Sequence, residues 1–191
     1  IQAGCGRSGS FFSFDDMGFT PDMVCLSKAI GGMGLPMALV LLRPDLDVLK
    51  PGEHNGTFRG NNLAFVAAKT ALELWRDPNF GSELAEKSKT LHDRLSKIAS
   101  RYSDEGAHVR GRGLMLGLGW DDPGIAARVS RAAFRRGVIA ETTGSDDQVL
   151  KLLPPLTISD QELHRGLEGI EAAIDEVMAR ERGGSTLQAA E

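Results

Sequence analysis

Two cysteines in 191 residues, Cys5 and Cys25, are too few for a disulfide framework, and neither stands in a Cys-x-x-Cys spacing. They read as buried thiols in a reducing compartment, which implies a cytoplasmic setting. Positive charge is also short. Lys and Arg number 22 against 26 Asp and Glu, a formal net charge of −4, so nothing electrostatic favours nucleic acid or an anionic membrane as a partner. No apolar run approaches the roughly 18 residues that span a bilayer, and no signal peptide, internal repeat or low-complexity tract is visible. An initiator methionine is missing too. The chain opens at Ile1 with no structured lead-in, which reads as a cut through a larger protein, so apolar surface that another part would cover is expected. What is present is the ordinary balance of a globular protein, 41% hydrophobic and 25% charged.

Residues 1–14 are glycine-rich and end in Phe11, Phe12 and Phe14. After the turn signal Thr20-Pro21-Asp22, the apolar run Met23 to Ser27 predicts a short buried strand, and Ala38 to Leu42 predicts a second. Apolar runs without alternation suit strands covered on both faces, as in α/β sheets. The pattern turns helical from Asn61 to Trp75 and stops at Asp77-Pro78. A long helix is expected from about Ser82 to Tyr102, with Leu84, Leu91, Leu95, Ile98 and Tyr102 on one face. Gly113 to Trp120 predicts a strand, Pro123 to Arg136 a helix stopped by Gly137, and Val138–Glu141 and Val149–Leu153 two more strands. Ser159 with Glu162 three residues on is a capping box for the last helix, beyond which Gly183-Gly184-Ser185-Thr186 predicts a frayed end. This order is α/β: an α/β unit (1–80) followed by an α+β unit (81–191), with the boundary near residues 77–82.

Lys28 stands at the end of the first strand, and Gly31, Gly32 and Gly34 follow it. A lysine there is ordinarily a solvated strand-end charge. Glycines that let a planar ligand approach the backbone open a second reading, a nucleophilic amine that forms a Schiff base.

Ile1-Gln2-Ala3-Gly4-Cys5-Gly6-Arg7-Ser8-Gly9, the stretch from Pro21-Asp22 through Ser27-Lys28-Ala29-Ile30-Gly31-Gly32 to Gly34-Leu35-Pro36, and His54-Asn55-Gly56-Thr57-Phe58-Arg59-Gly60-Asn61 occur in this order. Together they resemble three motifs of the class III aminotransferases of fold type I, and Leu152 to Ile158 resembles that family's small-domain segment. The resemblance implies the end of a large pyridoxal-phosphate-binding domain over 1–80, then a connecting helix and the C-terminal small domain over 81–191. It implies that Lys28 is the catalytic lysine, holding pyridoxal 5'-phosphate (PLP) through a Schiff base and shuttling a proton between substrate and cofactor. Gln2 would hydrogen-bond the cofactor's phenolic oxygen and Ile1 would pack on its ring. Thr57 would reach the phosphate of the neighbouring subunit in a homo-oligomer. His54 reads as structural, and Arg7 and Arg59 as loop-ordering residues. The family's pyridinium-binding aspartate and most of its phosphate cradle fall upstream of Ile1, so these residues alone would bind the cofactor weakly or not at all.

Ornithine-type members carry arginine where this chain has Lys151, a candidate substrate-binding residue that offers a carboxylate a point charge instead of a fork. The stretch Lys50 to Asn62 is most similar to the subgroup acting on diaminobutyrate. That implies amino transfer from glutamate to the aldehyde carbon of aspartate 4-semialdehyde, with ornithine, acetylornithine or 4-aminobutyrate as alternative amines. Two other classes stay open: a non-catalytic homologue, against which Lys28 weighs, and a PLP-free Schiff-base enzyme such as an aldolase, against which Gln2 and Thr57 weigh.

Overall fold

The structure, a computed structural model, describes residues 1–56 and 59–188, with side chains through Arg182. The chain divides into two compact units, Ile1–Leu84 and Ala85–Glu191.

In the first unit, strand β1 (Met23–Ser27) pairs antiparallel with β2 (Ala38–Leu42), Met23 opposite Leu42 and Ser27 opposite Ala38. Side chains alternate across a strand. Val24, Leu26 and Leu39 turn to a small core of Cys5, Leu26 and Ile30, against which Phe11, Phe12, Ala29 and Met37 also pack. The other face carries Met23, Cys25, Val40 and Leu42, and all four are exposed. Two expectations fail here. The strands are not covered on both faces, and Cys25 is exposed while only Cys5 is buried. The physical reason is register: one face of a two-stranded ribbon meets residues 1–12 and the other meets nothing among the described residues.

Helix α1 (Asn62–Glu73) is capped by Asn61, whose Oδ1 accepts from the backbone N–H of Leu63 (3.0 Å) and Ala64 (3.3 Å). It buries Ala64 and Ala68, small side chains that permit close backbone approach, while Leu63 and Val66 face outward. Trp75 meets Phe11 and Phe80 edge-on, at centroid distances of 5.4 and 5.1 Å. Helix α2 runs Pro78–Arg101, so it starts four residues before the expected Ser82. Asp77-Pro78 ends one helix and begins the next: Asp77 Oδ1 accepts from Asn79 N–H at 2.9 Å, and proline suits a first helical position.

The second unit holds a four-stranded antiparallel sheet in the order β3-β4-β6-β5. Its strands are β3 (His108–Arg112), β4 (Met115–Gly119), β5 (Glu141–Thr143) and β6 (Val149–Leu152). Helix α3 (Pro123–Phe134) joins β4 to β5, and α4 (Asp160–Gln188) follows β6. Leu116 and Leu118 oppose Leu152 and Leu150, and all four are buried. Leu91, Leu95 and Ile98 of α2, Val129 and Ala132 of α3, and Leu167, Ile170 and Ile174 of α4 complete the core.

The expected caps form. Ser159 N–H donates to Glu162 Oε2 (3.1 Å) and Glu162 N–H to Ser159 Oγ (3.2 Å). Gly137, at φ 79°, closes α3, with Val138 N–H donating to Ala133 O (3.0 Å). Three boundaries differ. Strand β3 was not expected, because a charged edge strand hides its period. Strand β5 begins only at Glu141, with Ile139 left 83% exposed. Helix α4 continues to Gln188, past the glycines where fraying was expected.

Candidate active site

Lys28 is the first residue beyond β1 and opens a short 3-10 helix, Lys28–Gly31. Its backbone lies in the left-handed region, at φ 55°. For a residue with a Cβ that conformation costs about 1–2 kcal/mol, so the surrounding structure must hold it. Three features do so. Leu26 and Ile30, on either side of Lys28, sit in the small core with Cys5. Ser27 Oγ donates to Met37 O at 3.0 Å and ties the strand end to the segment entering β2. Gly32 closes the turn at φ 67°. The Lys28 side chain is exposed, and its ammonium has no hydrogen-bond or ion-pair partner among the described residues.

Gln2 belongs to a loop pinned to the same core. Cys5 N–H donates to Phe11 O at 2.7 Å, while Ser8 Oγ and Ser8 N–H both donate to Ala3 O, at 2.8 and 3.2 Å. Gly4 approaches Leu26 so closely that a Cβ would lie 3.3 Å from Leu26 Cδ2. Gln2 is half-buried with its carboxamide unpartnered among the described residues, and Ile1 is exposed. Burial pushes the Cys5 thiol pKa up from its ordinary value and the Arg7 guanidinium down from its own. Arg59 orders its loop by donating to the His54 carbonyl. Thr57 lies outside the described residues.

Lys151 lies in the second unit. It stands opposite Glu141 in the β5–β6 ladder, and its ammonium lies 2.6 Å from Glu141 Oε2. Both residues line a cavity of about 380 Å3 whose walls include Leu152, Pro154, Pro155 and Leu163. Sequence reasoning missed Glu141; the only signal was an acid at a strand end. Lys28 and Gln2 thus stand on two segments that each contribute to the Cys5–Leu26–Ile30 core, and Lys151 has a carboxylate partner of its own. Among the described residues, no group of three or more His, Cys, Asp and Glu could hold a metal, and no helix is long and apolar enough to cross a membrane.

The family model for class-III aminotransferases matches residues 1–174. The chain belongs to the class-III aminotransferases. Class-III aminotransferases use PLP. A diaminobutyrate–2-oxoglutarate transaminase of Halalkalibacterium halodurans is 54% identical over 91% of this chain and 41% of its own length. Its counterpart in Bordetella parapertussis is 53% identical over 95% of the chain and 42% of its own. The chain thus spans about two fifths of the curated relatives it matches. Among solved structures, the ornithine aminotransferase of Toxoplasma gondii superposes with a TM-score of 0.86 at 28% identity, over 94% of this chain and 43% of that one. The mixed α/β fold class expected from the sequence holds.

Proposed function

We propose that the protein carrying this chain moves the amino group of L-glutamate to the aldehyde carbon of L-aspartate 4-semialdehyde. The products are L-2,4-diaminobutyrate and 2-oxoglutarate, the entry to ectoine biosynthesis. The observation that carries the reading is Lys28: an exposed primary amine, unpartnered among the described residues, on a backbone that the fold holds in a left-handed conformation. An amine there and a carboxamide at Gln2, both without partners among the described residues, fit a cofactor with one carbonyl and one ring oxygen to engage. When bound, PLP supplies an electron sink for the carbon that loses its proton.

The chain's own residues then do the following. Lys28 would hold the cofactor and its amine would carry the proton that substrate and cofactor exchange. Gln2 would hydrogen-bond the cofactor's ring oxygen, Ile1 would pack against its ring, and Thr57 would serve the phosphate of the neighbouring subunit in a homodimer or larger assembly. Lys151 takes a substrate carboxylate. The two free thiols fit a reducing cytoplasm. Residues 1–80 act as the end of the cofactor domain and 81–191 as the small domain.

Diaminobutyrate is favoured over ornithine because relatives named for it match at 53–54% identity, against 28% for the ornithine enzyme. Borohydride reduction of the full-length protein followed by peptide mapping tests the cofactor assignment: the pyridoxyl label should appear on Lys28. Assays with each amine test the substrate, and a preference for ornithine over diaminobutyrate sinks this reading.

A further inference from the structure

The groove between α3 and α4 holds more guanidinium charge than its own carboxylates neutralise. Arg128, Arg131, Arg135 and Arg180 line it together with Glu176 and Glu181, around a cavity of about 250 Å3. Four cations against two anions leave two positive charges in surplus, in a chain whose formal net charge is −4. The local sign is opposite to the global one.

The ion pairs show which donors are already engaged. Glu176 receives Arg135 at 3.0 Å, Arg136 at 2.7 Å and Arg180 at 2.9 Å, and these guanidiniums hold its carboxyl pKa below the ordinary range. Arg128 is shared between Asp122, at 2.8 Å, and Glu181, at 3.0 Å. Arg131 has no side-chain partner among the described residues. Spaced three and four residues apart, Arg128 and Arg131 of α3 and Arg135 at its C-cap lie along one face. A guanidinium carries five N–H donors, so Arg131, Arg135 and Arg180 keep most of theirs for a ligand.

We propose that this groove binds a small phosphate-bearing anion, held by Arg131, Arg135 and Arg180. A surplus of two charges matches a dianion. The cations lining the groove are arginines, whose planar forks meet phosphate oxygens two at a time. The cavity lies below the roughly 300–1,000 Å3 of pockets for drug-sized ligands, which suits a phosphate group and little more. The ligand is either inorganic phosphate or the phosphate end of a small metabolite.

The test uses the full-length protein saturated with PLP, so that the cofactor phosphate site is filled. Inorganic phosphate and glycerol 3-phosphate are titrated in separate calorimetric runs at low ionic strength. Saturable binding of one anion per chain is expected, weakened about tenfold in Arg131→Gln, a loss of one charge-assisted contact. Glu181→Gln, which raises the surplus charge, should tighten it. Equal affinity for both probes points to a bare phosphate requirement, and tighter binding of the ester points to a metabolite. Absence of saturable heat with either probe overturns the proposal. So does an affinity that neither Arg131→Gln nor Glu181→Gln changes.

Discussion

Gly32 lies so close to α1 that a Cβ on it would sit 3.0 Å from the carbonyl oxygen of Ala67. Its backbone, at φ 67° and ψ −136°, falls in a region that side chains rarely enter.

Gly32→Ala therefore meets two obstacles at once, strain and a clash with a helix backbone that cannot swing aside. The strain alone costs about 1–3 kcal/mol, and the clash adds to it. Urea unfolding should show that loss. Because Gly32 closes the turn that begins at Lys28, the variant should also need more cofactor for half-saturation. Wild-type cofactor affinity in the variant would mean that the turn does not set the lysine's position.

Cys5 occupies the core under that same turn, beside Leu26 and Ile30. Cys5→Ser puts a hydroxyl into apolar surroundings and should cost about 1–3 kcal/mol, whereas Cys5→Ala loses less. Burial pushes the thiol pKa up in the folded state. The sign follows: stability from this group is complete below the ordinary thiol pKa and is lost as pH rises through it towards the folded value. At neutral pH, iodoacetamide should label Cys5 only as fast as the protein opens, and rapid labelling in the native state would refute its burial.

Elements announced by local chemistry were legible in the sequence. The Ser159–Glu162 box, the Gly137 stop and the apolar run before Lys28 each act within a few residues. What depends on pairing was not. Cys25 is exposed because register turns it away from Leu26, and the sequence does not show which face will be covered. Glu141 and Lys151 stand ten positions apart, and only the β5–β6 register sets them opposite each other. The left-handed backbone of Lys28 had no sign at all, since lysine has no preference for it.

Glu171 links α2 to α4 by accepting from Arg94 Nε at 2.6 Å and from Arg101 at 2.7 Å. Burial opposes its ionisation, but the hydrogen bonds from Arg101 and Arg94 outweigh it and hold the carboxyl pKa below the usual range. A depressed folded pKa gives stability that is present above the unfolded value, about 4.3, and is lost as pH falls through the folded one. Glu171→Gln should be less stable by about 1 kcal/mol at pH 7, since the pair is partly exposed. The gap should narrow in 1 M salt and close as pH falls through the folded carboxyl pKa. Urea midpoints of the two proteins at each pH measure it, and a gap constant with pH would remove the electrostatic account.

Lys151 is the half-buried member of its pair, while the Glu141 side chain is 72% exposed. The lysine is thus the fixed charge and the glutamate the partner that can move. A carboxylate substrate that binds Lys151 must first displace Glu141, so the glutamate should act as a built-in competitor. Glu141→Gln should lower the KM for 2-oxoglutarate a few-fold and leave kcat nearly unchanged. Lys151→Met keeps the apolar stem, removes the charge and should raise that KM by about tenfold, the equivalent of one charge-assisted contact. Both changes act through one ammonium. The double variant should therefore match Lys151→Met alone, a non-additivity that independent sites would not give. If Glu141→Gln instead raises KM, the glutamate is supporting the lysine, and the carboxylate role of Lys151 falls with the competition argument.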